Sequence, residues 1–67
     1  MEEELNAALY QEAAEQGNAE AQYRLGECYA EGEGVEKDVK EAVRWWRKAA
    51  DQGHAEARMA LHELGSD

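Results

Sequence analysis

Apolar residues recur along this chain at helical intervals. Val39, Ala42, Val43, Trp46, Ala49 and Ala50 fall at i, i+3, i+4, i+7, i+10 and i+11, the stripe of an amphipathic helix. Asp38 stands before that stripe with Glu41 three residues on, a capping-box pattern, and Gly53 supplies the residue that closes it. A second stripe, Ala21, Leu25, Cys28 and Tyr29, follows Asn18 and stops at Gly32-Glu33-Gly34, where Val35 can tuck the loop onto the core. The pattern predicts helices over about 3–16, 19–31, 38–51 and 55–64. The expected fold is therefore all-α: antiparallel αα-hairpins in right-handed stacking, with Leu25, Tyr29, Val39, Val43, Trp46, Ala49 and Ala50 in one core.

The pattern also repeats. Shifted by 36 residues, Ala13-Ala14-Glu15-Gln16-Gly17-Asn18-Ala19-Glu20-Ala21 falls on Ala49-Ala50-Asp51-Gln52-Gly53-His54-Ala55-Glu56-Ala57, with seven of nine positions identical. Leu25 then meets Leu61, Leu9 meets Trp45 and Tyr10 meets Trp46. Small residues on both sides of the glycine turn let two helices approach closely. Gly26 inside a helix costs about 1 kcal/mol against Ala, and close approach of a neighbouring helix is the expected compensation. Helix pairs packed in this way and stacked in series build a solenoid.

Three linked segments carry a family resemblance. They are Ala21-x-x-x-Leu25-Gly26-x-x-Tyr29, Gly32-x-Gly34-Val35-x-x-Asp38, and Ala42-x-x-Trp45-x-x-Lys48-Ala49-Ala50-x-Gln52-Gly53-x-Ala55. Together they closely resemble the Sel-one-like repeat, a relative of the tetratricopeptide repeat, over residues 13–64. The departures sit at the edges: Asn6 for Ala42, Glu12 for Lys48, Met59 for Tyr23 and His62 for Gly26. The first and last helices are the worn copies. The resemblance implies a single helical-repeat domain over 1–67, with one full repeat at about 18–53 flanked by half-repeats, and a scaffold for protein contacts. So short a piece of an array fits an excised or engineered fragment.

Composition narrows the functional classes. The 67 residues include no Pro, no Phe, a single Cys and 43% hydrophobic residues, too apolar for a disordered acidic tail. One cysteine excludes an intrachain disulfide framework. The first residues carry no basic, apolar leader, and no apolar run approaches a membrane span, so a soluble domain is expected. The net charge of −9 disfavours nucleic acid, whose phosphates need a basic surface. That charge is lopsided. Residues 1–36 hold ten acidic residues against Arg24, summing to −9, whereas residues 37–67 hold six of each sign.

Candidate chemistry is sparse. His54 and His62 are eight residues apart with Arg58 between them, a poor setting for a cation, so His54 reads as a helix-start residue and His62 as exposed. Cys28 lies on the apolar edge and reads as a buried, reduced packing residue; its bridge partner in some cysteine-rich relatives falls where this chain has Ala50. The loop from Glu31 to Asp38 lacks calcium-ligand spacing, and its glutamates repel a phosphate. No nucleophile–base pair or dinucleotide fingerprint is present. The chain is expected to be no enzyme and to hold no cofactor or metal.

Two functional expectations emerge. Glu20, Tyr23, Glu27 and Glu31 lie opposite the core stripe of the second helix, and Glu56, Met59 and Glu63 occupy the matching face of the fourth. In tetratricopeptide-like stacks such rows line the concave surface, here an acidic face with amphipathic anchors for a basic peptide or helix. Alternatively, Leu5, Leu9, Trp45, Leu61 and Leu64 lie where a longer array would continue. Their burial against another copy would make the chain a self-associating homodimer.

Overall fold

The computed structural model describes residues 7–65, all four elements of which are α-helices: α1 (Ala7–Glu15), α2 (Ala19–Glu31), α3 (Val39–Asp51) and α4 (Ala55–Gly65). Each helix packs on its predecessor, and the interface between α2 and α3 is the most extensive. The expected start of the first helix, near residue 3, lies outside the described residues.

Two turns built alike join the helix pairs. At the end of α3, Gly53 takes φ +90°, and its N–H donates to Ala50 O at 2.8 Å while His54 N–H donates to Ala49 O at 3.1 Å. Gly17, at φ +102°, does the same for α1, with Gly17 N–H on Ala14 O and Asn18 N–H on Ala13 O. This Schellman arrangement satisfies carbonyls that a helix end leaves unpaired. The residue after each glycine then caps the next helix. Asn18 Oδ1 accepts from Ala21 N at 2.8 Å, and His54 Nδ1 accepts from Ala57 N at 3.1 Å. One residue thus closes one helix and opens another.

The connection from α2 to α3 is longer. Gly32 and Glu33 both donate to Cys28 O, and Val35 folds back, half-buried, onto the core. Asp38 caps α3 through Oδ1, which accepts from Lys40 N at 3.1 Å and Glu41 N at 3.3 Å. The expected capping box is formed on one side only. Asp38 N–H donates to Tyr29 O at 2.8 Å, so Glu41 is left to approach Arg44 at 3.6 Å.

The core is two clusters rather than one. Ala7, Ala14, Ala21, Leu25 and Cys28 form the first, covered at its edges by Tyr10, Tyr29, Val35 and Trp45. Ala42, Trp46, Ala49 and Ala57 form the second, with Tyr23, Tyr29, Ala50 and Leu61 half-buried around it. Val39, expected inside, is 43% exposed. It is the first residue of α3 and lines an open groove with Val43, Arg47, Leu61 and Leu64. The same stripe is therefore sealed at its middle and C-terminal end and open at its start. Trp45 and Trp46, about 100° apart on the helix, face different neighbours. Trp45 packs on the first cluster, and Trp46 belongs to the second.

Gly26 explains how α3 comes so close to α2. A Cβ placed there would lie 2.5 Å from the Trp46 ring and 3.1 Å from Ala42 O. The indole lies over the bare glycine and its Nε1–H donates to Tyr23 O at 3.1 Å. Gln22, only 5% exposed, supplies a second polar tie. Its Nε2 donates to Ala14 O at 3.0 Å, and its Oε1 accepts from Gln52, which also donates to Gly17 O at 2.9 Å. Two side-chain amides thereby connect the two glycine turns.

We expect Gly26→Ala to destabilise the fold by about 1–3 kcal/mol, because the added methyl overpacks a wall of indole and backbone. Gly53→Ala, which meets no atom within 4 Å, should cost about 1 kcal/mol, from its left-handed backbone alone. Urea unfolding followed by tryptophan fluorescence would rank the two, and equal midpoints would refute the close-approach argument. Cys28 is fully buried. Its thiol pKa is raised by burial and then by Glu33, Glu27 and Glu31. Thiol-reagent labelling should be slow in buffer and become fast only across the urea transition.

Candidate functional site

Opposite the buried stripes, α2 and α4 present adjacent rows of polar residues. Tyr23, Glu56, Met59, Ala60 and Glu63 meet around an open hollow of about 190 Å³. It is lined by an aromatic ring, a thioether, a methyl group and two carboxylates. Met59 is 64% exposed, a large flexible apolar side chain facing water. Burial, a hydrogen bond to Glu27 and the nearby charges of Glu27 and Glu56 push the Tyr23 hydroxyl up to about 12. The nearby Arg24 charge opposes that shift.

The other expected acidic residues are more occupied than their spacing suggests. Arg24 donates from Nε to Glu20 Oε2 at 2.9 Å and from Nη1 to Glu27 Oε1 at 3.2 Å, and its guanidinium stands 5.6 Å from the Tyr23 ring centroid. The single base of the acidic half therefore sits within the row and neutralises part of it. Glu31, the last residue of α2, is exposed and lies outside the hollow. The i,i+4 and i,i+3 spacing of Glu20, Arg24 and Glu27 was the signal for this pairing.

His54 ties the two rows together. Its ring stacks on Tyr23 with centroids 4.9 Å apart and planes at 27°, and Nε2 lies 2.8 Å from Glu20 Oε1. Because Nδ1 accepts from Ala57 N, the neutral ring carries its proton on Nε2 and donates it to Glu20. Glu56 Oε1 stands 4.0 Å from the same nitrogen, so Glu20, His54 and Glu56 bring three potential metal donors within 4.8 Å of one another. The cap argues against metal binding. A metal on Nε2 would need the ring proton on Nδ1, pointing at the Ala57 N–H. The histidine serves as a cap, the role its place before the helix suggested, and also as a strut between repeats, which the sequence did not suggest.

The residues expected at the ends are split between two faces. Leu9 is 70% exposed on α1, and Leu64 is 47% exposed on α4. Leu61 is half-buried against the second cluster, and Trp45 is half-buried against the first, with Lys48 Nζ 5.7 Å from its ring centroid. Leu5 lies outside the described residues. His62, as its position suggested, is exposed. No helix among the described residues is long and apolar enough to cross a membrane.

Glu20 supplies a pH test. Its carboxyl is held below the usual carboxylate range, first by the His54 hydrogen bond and then by Arg24, with partial burial opposing. A folded-state pKa below the unfolded one gives stability that is full above about pH 5 and is lost as pH falls through the folded value. The side chain is 54% exposed, so screening limits the effect to a few tenths of a kcal/mol. We expect Glu20→Gln to flatten the acid limb of the thermal midpoint, with a smaller difference from the parent at pH 3 than at pH 7. A constant offset at both pH values would refute the linkage.

This architecture agrees with what comparison finds. Residues 7–18 and 19–54 match the family model described as Sel1 repeat. The boundary between the matches falls at the Gly17-Asn18 turn, and the second ends at His54, the residue equivalent to Asn18. Among solved structures, the crystal structure of a Sel1 repeat protein from Oxalobacter formigenes is 50% identical over 87% of this chain, with a TM-score of 0.84. The match spans 24% of that protein, so this chain corresponds to about a quarter of its length. No curated protein matches the chain. The 36-residue period, the glycine turns, the Trp46–Gly26 contact and these matches agree: the chain belongs to the Sel1 repeat family.

Proposed function

We propose that this chain is a non-catalytic protein-binding module whose α2–α4 face takes a basic, amphipathic peptide or helix. Sel1 repeats generally mediate contacts between proteins, and the finer reading rests on the hollow around Tyr23 and Met59. A partner's aliphatic or aromatic side chain fits against the ring and thioether, and a lysine or arginine beside it reaches Glu56 or Glu63. Charge governs the rate and the choice of partner, and the apolar anchor resists dissociation. Arg24 pairs with Glu20 and Glu27 and so offsets part of the charge on the α2 side of the face.

The test is a titration of labelled protein with an amphipathic Lys/Arg peptide and with its Glu-substituted counterpart. Amide shifts should concentrate at residues 20–27 and 56–63, for the basic peptide only. Glu56→Lys should weaken binding several-fold and reduce its salt dependence, whereas Met59→Ala should weaken it at all salt concentrations. Shifts spread equally over Glu12, Glu15 and Glu36 would mean diffuse charge attraction and refute the face.

A second reading is favoured by a different observation. Val39, Val43, Leu61 and Leu64 form an apolar groove edged by Arg47, and Leu9 is exposed on α1. Burial of such surfaces between copies would make the chain an assembly element. Sedimentation over a concentration series would show masses above 7.5 kDa, persisting in high salt. A single 7.5 kDa species near 100 µM, above the micromolar dissociation constants of modest interfaces, would refute it.

A further inference from the structure

The repeat makes the apolar groove interpretable residue by residue. Under the 36-residue shift, Val43, Leu61 and Leu64 are the counterparts of Ala7, Leu25 and Cys28. Those three are buried at 2%, 0% and 0% exposure, roofed in part by Trp45 of α3 and by Val35. Leu64, by contrast, is 47% exposed. The groove on α3 and α4 is therefore a second copy of a site that this chain already fills internally with α3.

The element that could fill it is present in every molecule. Helix α1 is the repeat counterpart of the C-terminal part of α3. Leu9 corresponds to Trp45, Tyr10 to Trp46, Ala13 to Ala49 and Gln16 to Gln52. Leu9 is 70% exposed, whereas Trp45 is half-buried. The polar tie also has its parts. Gln52 donates to Gly17 O and to Gln22, and their counterparts are Gly53 and Arg58. An incoming Gln16 can donate to Gly53 O while its own oxygen accepts from Arg58. The acidic half, at −9, then approaches the half whose charges balance.

One position opposes the fit. Trp46 lies over Gly26, where a Cβ would stand 2.5 Å from the ring. The counterpart of Gly26 is His62, so an incoming Tyr10 meets a Cβ that has no room. We propose that the α3–α4 groove is a stacking site for α1 of a second copy of this chain, entered head to tail in repeat register and restrained by His62. The proposal rests on the self-association reading and gives it a geometry. Such a contact is heterologous, so stacking is open-ended rather than closed at two chains. The His62 obstruction keeps the wild-type contact weak.

Sedimentation equilibrium over about 10 µM to 1 mM tests this, with far-UV circular dichroism of each variant to verify its fold. The wild type should show a mass that has begun to rise above a single chain by about 100 µM and does not level off at two chains. His62→Gly should shift the rise to concentrations about tenfold lower or more, while His62→Ala, which keeps the Cβ, should stay near the wild type. Leu9→Glu and Leu64→Glu, both at exposed positions, should each be monomeric alone and form a heterodimer when mixed, because each keeps the face that the other has lost. A wild-type mass that levels off at two chains, or two Glu variants that stay apart when mixed, would overturn head-to-tail stacking while leaving self-association standing. Equal association of His62→Gly and the wild type would overturn the role of His62. Monomers throughout would overturn both readings.

Discussion

The fold depends on the contact of the Trp46 indole with the bare backbone of Gly26. Without a Cβ at that point, α3 can lie against α2 closely enough for the indole N–H to reach Tyr23 O. That one approach has two consequences. Trp46 becomes the centre of the second cluster, against which Ala42, Ala49 and Ala57 pack without needing bulk of their own. Its neighbour Trp45 is turned toward the first cluster and covers it. Adjacent tryptophans on one helix thus couple two repeats. In an alanine-rich chain they supply much of the buried area that larger aliphatic side chains would otherwise provide.

Polar groups do the complementary work of fixing the turns. Glycine provides the reversal in both short connections, and the residue after it determines how the next helix begins. Asn18 caps with an amide, and His54 caps with a ring nitrogen. That substitution has a consequence beyond the cap. A ring has a second nitrogen, an amide has no equivalent reach, and the second nitrogen of His54 spans to Glu20 while its face stacks on Tyr23. The α2–α4 surface is braced by the residue that opens α4. The hollow between Tyr23 and Met59 is therefore held by a strut at one side and left open at the other, where Glu56 and Glu63 flank it.

Much of this was legible in the sequence because the signals were local or periodic. The 36-residue shift, the Asp38 cap, the Gly53 turn and the special status of Gly26 come from spacing and backbone chemistry alone. Periodicity fails at the ends of helices. Val39 satisfies the stripe, yet it stands at the first position of α3, on the open groove that it shares with Leu61 and Leu64 of α4, and it is exposed. The stripe specified a face but not how far along that face its neighbours extend, which is why one expected core became two clusters. Gln22 was hidden for the opposite reason. Glutamine gives no burial signal, and its partners Ala14 and Gln52 are eight and thirty residues away. Arg24 was legible in spacing but was outweighed by a count of glutamates, and the structure shows that two of those charges are already paired.

The repeat also explains why similar halves need not behave alike. In the first copy, a tyrosine and a glycine one turn apart on α2 receive the tryptophan of α3. In the second, the corresponding residues on α4 are Met59 and His62. Met59 offers a flexible thioether in place of the tyrosine ring. His62 is the harder change, since any Cβ there encroaches on the space an aromatic ring would occupy. Two positions of one sequence motif therefore separate two properties of the fold: the first copy is built to be covered, and the second is built with the same apolar surface but without the same access. The Leu61 and Leu64 face retains the hydrophobic incentive to be covered, and the residue at 62 sets how closely anything can come. In a helical repeat, one side chain at the crossing point can decide whether similarity of sequence becomes continuity of structure.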